Sequence, residues 1–139
     1  MINGNGKGKE YDWYNGNLKF EGEYLNGKRN GKGKIYNDIG LLIFEGEFLN
    51  GQINGKGKLY YDQFKYSDSL KYEGEYLNDE RNGKGKAYNK FGELIFECEY
   101  LYNHCLKGKY YINNKIEYDG EYLTRFLIFF FEKLQYFNY

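Results

Sequence analysis

One block of about 17 residues recurs along the chain. Phe20 opens FEGEYLNGKRNGKGKIY, Phe44 opens FEGEFLNGQINGKGKLY and Tyr72 opens YEGEYLNDERNGKGKAY. The N-terminus carries the second half of another copy, NGKGKEY over residues 5–11. A worn copy starts at Phe96 (FECEYLYNHCLKGKYY) and a cut-off one at Tyr118 (YDGEYL). The first acidic residues of these copies, Glu21, Glu45, Glu73, Glu97 and Asp119, are 24, 28, 24 and 22 residues apart. The longer second step falls in the connection around Phe64 to Leu70, where an insertion costs least. Such a period constrains the fold more than any local motif. A short unit cannot bury its apolar face alone, so stability must come from stacking on its neighbours.

The alternation within a copy predicts a β-hairpin. Phe20, Gly22 and Tyr24 share one face and Glu21 and Glu23 the other, at period two. After the Asn26–Gly27 turn signal, Gly31, Gly33 and Ile35 share a face opposite Lys32 and Lys34. Pairing Gly22 with Gly33 sets Phe20 beside Ile35, Tyr24 over Gly31, Glu21 opposite Lys34 and Glu23 opposite Lys32. Opposite charges across strands contribute ~0.2–1 kcal/mol each, and a one-residue slip would mix the faces. Gly22, Gly31, Gly33, Gly46, Gly55, Gly57, Gly74, Gly83 and Gly85 then have a structural role: rings need room to lie across the backbone. The stretches YNDIGLLIFEGE and YNKFGELIFECE each read as strand, tight turn and strand. Hairpins are thereby chained into a continuous meander. The expected fold is all-β: an elongated, open, twisted antiparallel sheet of stacked hairpins, bent toward its aromatic face.

Composition narrows the function. The 139 residues fit one domain or a short array, and 20 basic and 20 acidic residues cancel, so no nucleic-acid partner is expected. Two serines, one threonine and one histidine leave little for catalysis, and no cofactor, metal site or small-molecule substrate is expected. Cys98 and Cys105 are too few for a disulfide framework and lack metal-ligand spacing. The N-terminus has no apolar signal region. The longest apolar run, Phe126 to Phe131, is far short of the ~20 residues that span a bilayer. A reducing, cytoplasmic setting is the expectation.

The pattern aromatic-x-Gly-x-aromatic-x-Asn-Gly-x-x-x-Gly-x-Gly resembles the MORN (membrane occupation and recognition nexus) repeat. It runs through Phe20, Gly22, Tyr24, Asn26, Gly27, Gly31 and Gly33, and again through Phe44, Gly46, Phe48, Asn50, Gly51, Gly55 and Gly57. In the third copy Tyr72, Gly74, Tyr76, Asn78, Gly83 and Gly85 match, with Asp79 at the turn. The fourth departs, with Cys98 for a strand glycine, a turn disturbed by His104 and Cys105, and Leu106 for another glycine; looser packing is expected there. The resemblance implies stacked hairpins that act as scaffolds, dimerise and bring partners to membranes or cytoskeletal structures. Some relatives carry the repeats beside a lipid kinase or methyltransferase domain; no such domain is legible here. The array is assigned to residues 1–123 and a Phe-rich cap or tail to residues 124–139.

Several residue sets admit a functional reading. Lys32, Lys34, Lys56, Lys58, Lys84 and Lys86 could bind anionic lipid headgroups such as phosphoinositides. A glutamate facing each lysine would instead give a neutral solvated face, and a headgroup site needs an uncompensated basic patch. The stripe of Tyr24, Phe48, Tyr76, Tyr100 and Tyr122 could form a groove for a partner; the competing reading packs these rings on neighbouring glycines as core. His104, Cys98 and Cys105 invite a metal or Cys–His nucleophile. The assumed register puts Cys98 opposite Gly108 and Cys105 opposite Leu101, favouring neither a shared site nor a disulfide. The glutamate pairs recur in like surroundings beside lysines, whereas a catalytic pair needs two different environments.

The tail from Leu123 to Tyr139 breaks the repeat. Leu127, Phe130, Leu134 and Phe137 fall on one helical stripe, consistent with a short capping helix over the end of the array. The other readings are an amphipathic or partner-binding segment, or a point where the natural chain continues differently. The expected function is a non-catalytic scaffold that presents a concave aromatic face to a protein partner or a second copy. The alternative is peripheral attachment to anionic phospholipid. The expected setting is cytoplasmic, with membrane or cytoskeletal association implied by the resemblance.

Overall fold

A computed structural model of the protein describes residues 4–122. Ten antiparallel strands follow one another in a single sheet, in chain order: β1 (Gly6–Tyr11), β2 (Leu18–Leu25), β3 (Lys28–Tyr36), β4 (Leu42–Leu49), β5 (Gln52–Tyr60), β6 (Leu70–Leu77), β7 (Glu80–Tyr88), β8 (Leu94–Leu101), β9 (His104–Ile112) and β10 (Lys115–Glu121). The longer connection between β5 and β6 holds one 3-10 turn, Phe64–Tyr66, where the sequence placed the insertion. The expected capping helix lies outside the described residues.

Two kinds of turn make the meander. Within each copy the two turn residues both adopt positive φ, as in Asn26 and Gly27 (51° and 75°) and Asn78 and Asp79 (48° and 70°). That geometry matches the strand twist, and Asn, Asp and Gly tolerate it best. Between copies, the Asn37 side chain accepts from the backbone N–H groups of Ile39 and Leu41, and Asn89 does the same for Phe91 and Glu93. Successive copies are also tied at their tips: the N–H groups of Gly51, Asp79 and Asn103 donate to the carbonyls of Arg29, Ile53 and Arg81.

The pairing of Gly22 with Gly33, Glu21 with Lys34 and Phe20 with Ile35 is as the sequence indicates. Tyr24, however, pairs with Arg29 and not with Gly31. The reason is a conflict between two local rules. A two-residue turn at Asn26–Gly27 dictates Tyr24 against Arg29, whereas the glycine and charge pairing dictates Gly22 against Gly33. A bulge absorbs the two-residue difference, so Glu23 alone lies opposite residues 30–32. The same bulge recurs in the next two copies. Gly31, Gly55 and Gly83 sit in it with φ of 101°, 111° and 100°, a conformation that excludes side chains. These three glycines therefore serve the backbone, and the ring-packing role belongs to the others. Glu23 does not simply oppose Lys32 either. Its carboxylate accepts the N–H of Lys32 at 2.6 Å, and Glu47 and Glu75 accept those of Lys56 and Lys84.

The core lies on one face of this single layer. Phe20 and Tyr72 are fully buried, and Phe44, Phe48, Tyr24, Tyr76 and Tyr100 nearly so. Each opening ring lies across a glycine pair: a Cβ on Gly33 would meet the Phe20 ring within 2.6 Å. Neighbouring rings then meet edge to face, Phe20 with Phe48 at 5.2 Å, Phe44 with Tyr76 at 5.5 Å and Tyr72 with Tyr100 at 5.4 Å between centroids. Such pairs add ~0.5–1.5 kcal/mol each beyond burial. Arg29 and Arg81 cap the outer side of the rings, 4.1 Å and 4.4 Å from the centroids of Phe20 and Tyr72. The worn fourth copy is looser, as its sequence suggests: Phe96 is only half-buried and lies tilted against Tyr110.

Candidate functional site

With the rings committed to one face, the other face carries the charges. Two rails of alternating sign cross the sheet. One runs Lys9, Glu21, Lys34, Glu45 and onward to Asp119; the other starts at Lys7 and Glu23 and continues through Lys32 and Glu47. Two residues separate the rails along each strand, about 7 Å. Between them runs a row of glycine backbone, interrupted by Cys98. Rails and glycines together line a groove of about 1460 Å³ that reaches from β1 to the last strand. At ~4.8 Å per strand the groove is about 43 Å long.

This placement corrects the expected position of the groove. It lies on the charged face, because bulky rings fill the other side while side-chain-free glycines form the groove floor. Tyr24, Phe48, Tyr76 and Tyr100 thus belong to the buried core and offer a partner little surface. Tyr122 is half-buried, its ring 5.0 Å from that of Tyr118. All six candidate lysines, Lys32, Lys34, Lys56, Lys58, Lys84 and Lys86, line the groove.

Electrostatically the groove is close to balanced, with ten lysines against nine carboxylates in its lining. Among the described residues, only Lys9 with Glu21 (3.7 Å) and Lys86 with Glu97 (3.8 Å) close to within ion-pair distance along the rails. The carboxylates are held by other donors. Glu21, Glu45 and Glu73 accept the hydroxyls of Tyr36, Tyr60 and Tyr88 at 2.6, 2.6 and 2.7 Å. Burial, then the adjacent carboxylate, pushes each of these hydroxyls up to about 12. The Tyr36 bond in turn holds Glu21 below the ordinary range. The glutamates therefore anchor the sheet, while among the described residues most groove lysines lie beyond ion-pair distance of a carboxylate.

On the opposite face Glu10 takes Arg29 in two bonds, 2.9 and 2.7 Å, and accepts the Tyr24 hydroxyl at 2.6 Å. The arginine caps and the tyrosine–glutamate bonds go beyond what the alternation alone indicates. Their signal was present: every good copy ends in tyrosine, and Arg29, Ile53 and Arg81 hold the same place after the turn.

Cys98 and Cys105 form a disulfide, with Cα atoms 5.6 Å apart. This overturns the expected separation. Cys98 does face Gly108, but a register shift after Glu99 brings Cys105 opposite Tyr100 and leaves Leu101 opposite His104. Both cysteines thereby come within bridging range.

Fold and groove together define the class: an open array of β-hairpin repeats that presents a long surface groove. The MORN repeat family model matches at residues 20–40, 44–63 and 72–88, so the chain carries three MORN repeats. The half copies at either side of these stretches continue the same sheet. MORN repeats are generally linked to protein or membrane interaction, and the repeat is typically non-catalytic. No curated protein matches the chain.

Proposed function

We propose that the protein is a non-catalytic scaffold whose charged groove holds a polypeptide partner. The observation that supports this most is the groove itself: about 43 Å of continuous surface, long enough for an extended segment or a helix of many turns. Its alternating rails suit a partner of mixed charge, since each lysine is flanked by carboxylates that a partner's own lysines and arginines would meet. The same alternation disfavours the membrane alternative, in which anionic headgroups need several uncompensated lysines side by side.

The test is quantitative affinity capture with three forms of the full chain: unmodified, Lys34→Glu/Lys58→Glu in the groove, and Lys28→Glu at a hairpin tip. The reading expects a set of proteins retained by the unmodified and Lys28→Glu forms and lost from the groove variant. Identical sets from all three contradict it. Flotation with anionic vesicles that only the groove variant loses would establish the membrane alternative instead.

A further inference from the structure

The two outermost strands of the described sheet are complementary halves of one repeat. Strand β1 carries the second half of a copy and β10 the first half, and among the described residues each has a strand neighbour on one side only. Three features of these edges match what the interior hairpins supply to one another. Gly6 already holds the bulge conformation, φ 129°, yet nothing among the described residues lies within 4 Å of its Cβ position; at Gly31, Gly55 and Gly83 that space holds the carboxylate of Glu23, Glu47 or Glu75. The hydroxyls of Tyr36, Tyr60 and Tyr88 each find a glutamate on the preceding strand, whereas Tyr11, the equivalent residue of β1, is 59 % exposed with no hydrogen bond to an acceptor among the described residues. Tyr118, the counterpart of fully buried Phe20, is 44 % exposed.

We propose that β10 of one copy of the chain pairs with β1 of a second, completing a hairpin-like unit and joining copies head to tail. In the interior register, Asp119 faces Lys9 of the second copy and Gly120 faces Gly8, with Tyr118 laid over both glycines. The Glu121 carboxylate accepts the Lys7 N–H beside Gly6, as Glu23 accepts that of Lys32, and Tyr11 donates to Asp119. Opposite signs thus meet at each charged position, and both rails of the groove continue unbroken into the next copy. The contact is heterologous, so it leaves a free β1 at one end and a free β10 at the other and propagates into open-ended chains. This goes beyond partner binding in the groove and does not depend on it.

Two measurements on the full chain test it. In sedimentation equilibrium, the mean mass rises with concentration past that of a dimer, and Tyr11→Phe, which leaves the fold intact, weakens association about tenfold. In cross-linking, separately purified Lys9→Cys and Asp119→Cys chains are mixed under mild oxidation and read on a non-reducing gel, with the unmodified chain as background. A heterodimer forms from the mixture and far less from Lys7→Cys with Asp119→Cys, which is out of register. A constant monomer mass up to roughly millimolar concentration overturns the proposal, and so does coverage of β10 by residues 123–139 of the same chain, which gives that result. A mass that stops at two copies without the 9–119 link overturns it as well, in favour of a two-fold dimer.

Discussion

Gly46→Val probes the packing logic at its tightest point. A Cβ on Gly46 would stand 2.6 Å from the Lys56 carbonyl oxygen, 2.7 Å from the Gly57 Cα and 2.8 Å from the Phe44 ring. Two of these three neighbours are backbone, so no rotamer change relieves the overlap. The strands must part, or the Phe44 ring must leave the core. Overpacking of this kind costs typically ~1–3 kcal/mol, and the two extra methyls of valine put the cost at about 3 kcal/mol or more. For a chain of this size that corresponds to a fall of roughly 10–15 °C in melting temperature. Lys56→Ala is the control: its side chain is exposed and its backbone N–H, which Glu47 accepts, is kept. A change within about 0.5 kcal/mol is expected there. Circular dichroism melts of the two variants at equal concentration give the comparison. Melting temperatures within about 2 °C of each other would refute the glycine–ring packing described above.

Three further outcomes follow from the same contacts. Phe44→Ala removes a buried ring and is expected to cost ~3–5 kcal/mol, whereas exposed Phe91→Ala stays within ~0.5 kcal/mol, both read from melting curves. Arg29 holds the Glu10 carboxyl below its ordinary 4.5, so that pair stabilises the fold fully above pH 4.5 and progressively less as pH falls through the lowered value. Glu10→Gln should flatten this part of the acid titration of stability. The hydroxyls of Tyr36, Tyr60 and Tyr88 ionise at about 12 in the fold against 10.0 ordinarily, so their contribution is complete below pH 10 and lost between pH 10 and 12. Tyrosinate absorbance should rise together with loss of sheet signal in that window, and Tyr36→Phe/Tyr60→Phe should weaken the coupling.

The strands and most of their pairing were legible in the sequence because the signals repeat. Period-two alternation, a two-residue turn opened by asparagine and a Glu/Lys code all recur three times, and a chance match at one position is exposed by the other two. What escaped came from competition between such signals. The turn at Asn26–Gly27 and the glycine pair Gly22–Gly33 each demand their own register, and only the geometry shows that a bulge at Gly31 reconciles them. The disulfide escaped for the same reason, since the shift after Glu99 moves Cys105 by one partner. The face that carries the groove does not follow from the alternation, which suits rings as a lining and rings as core alike. In a single layer they can bury themselves only by tiling over glycines and accepting Arg29 and Arg81 as caps. That leaves the charged side as the groove, where the six lysines lie and four of the five aromatic candidates do not.

Hydroxyl-radical footprinting of the full chain, read residue by residue by mass spectrometry, tests most directly which face is core and which is surface. Phe44, Phe48, Tyr72 and Tyr76 should be protected, while Trp13, Tyr14, Phe64 and Phe91, all largely exposed, should oxidise readily. Oxidation of Phe44 and Phe48 as fast as Trp13 would contradict the account, returning the aromatic face to the surface and removing the reason for a charged groove.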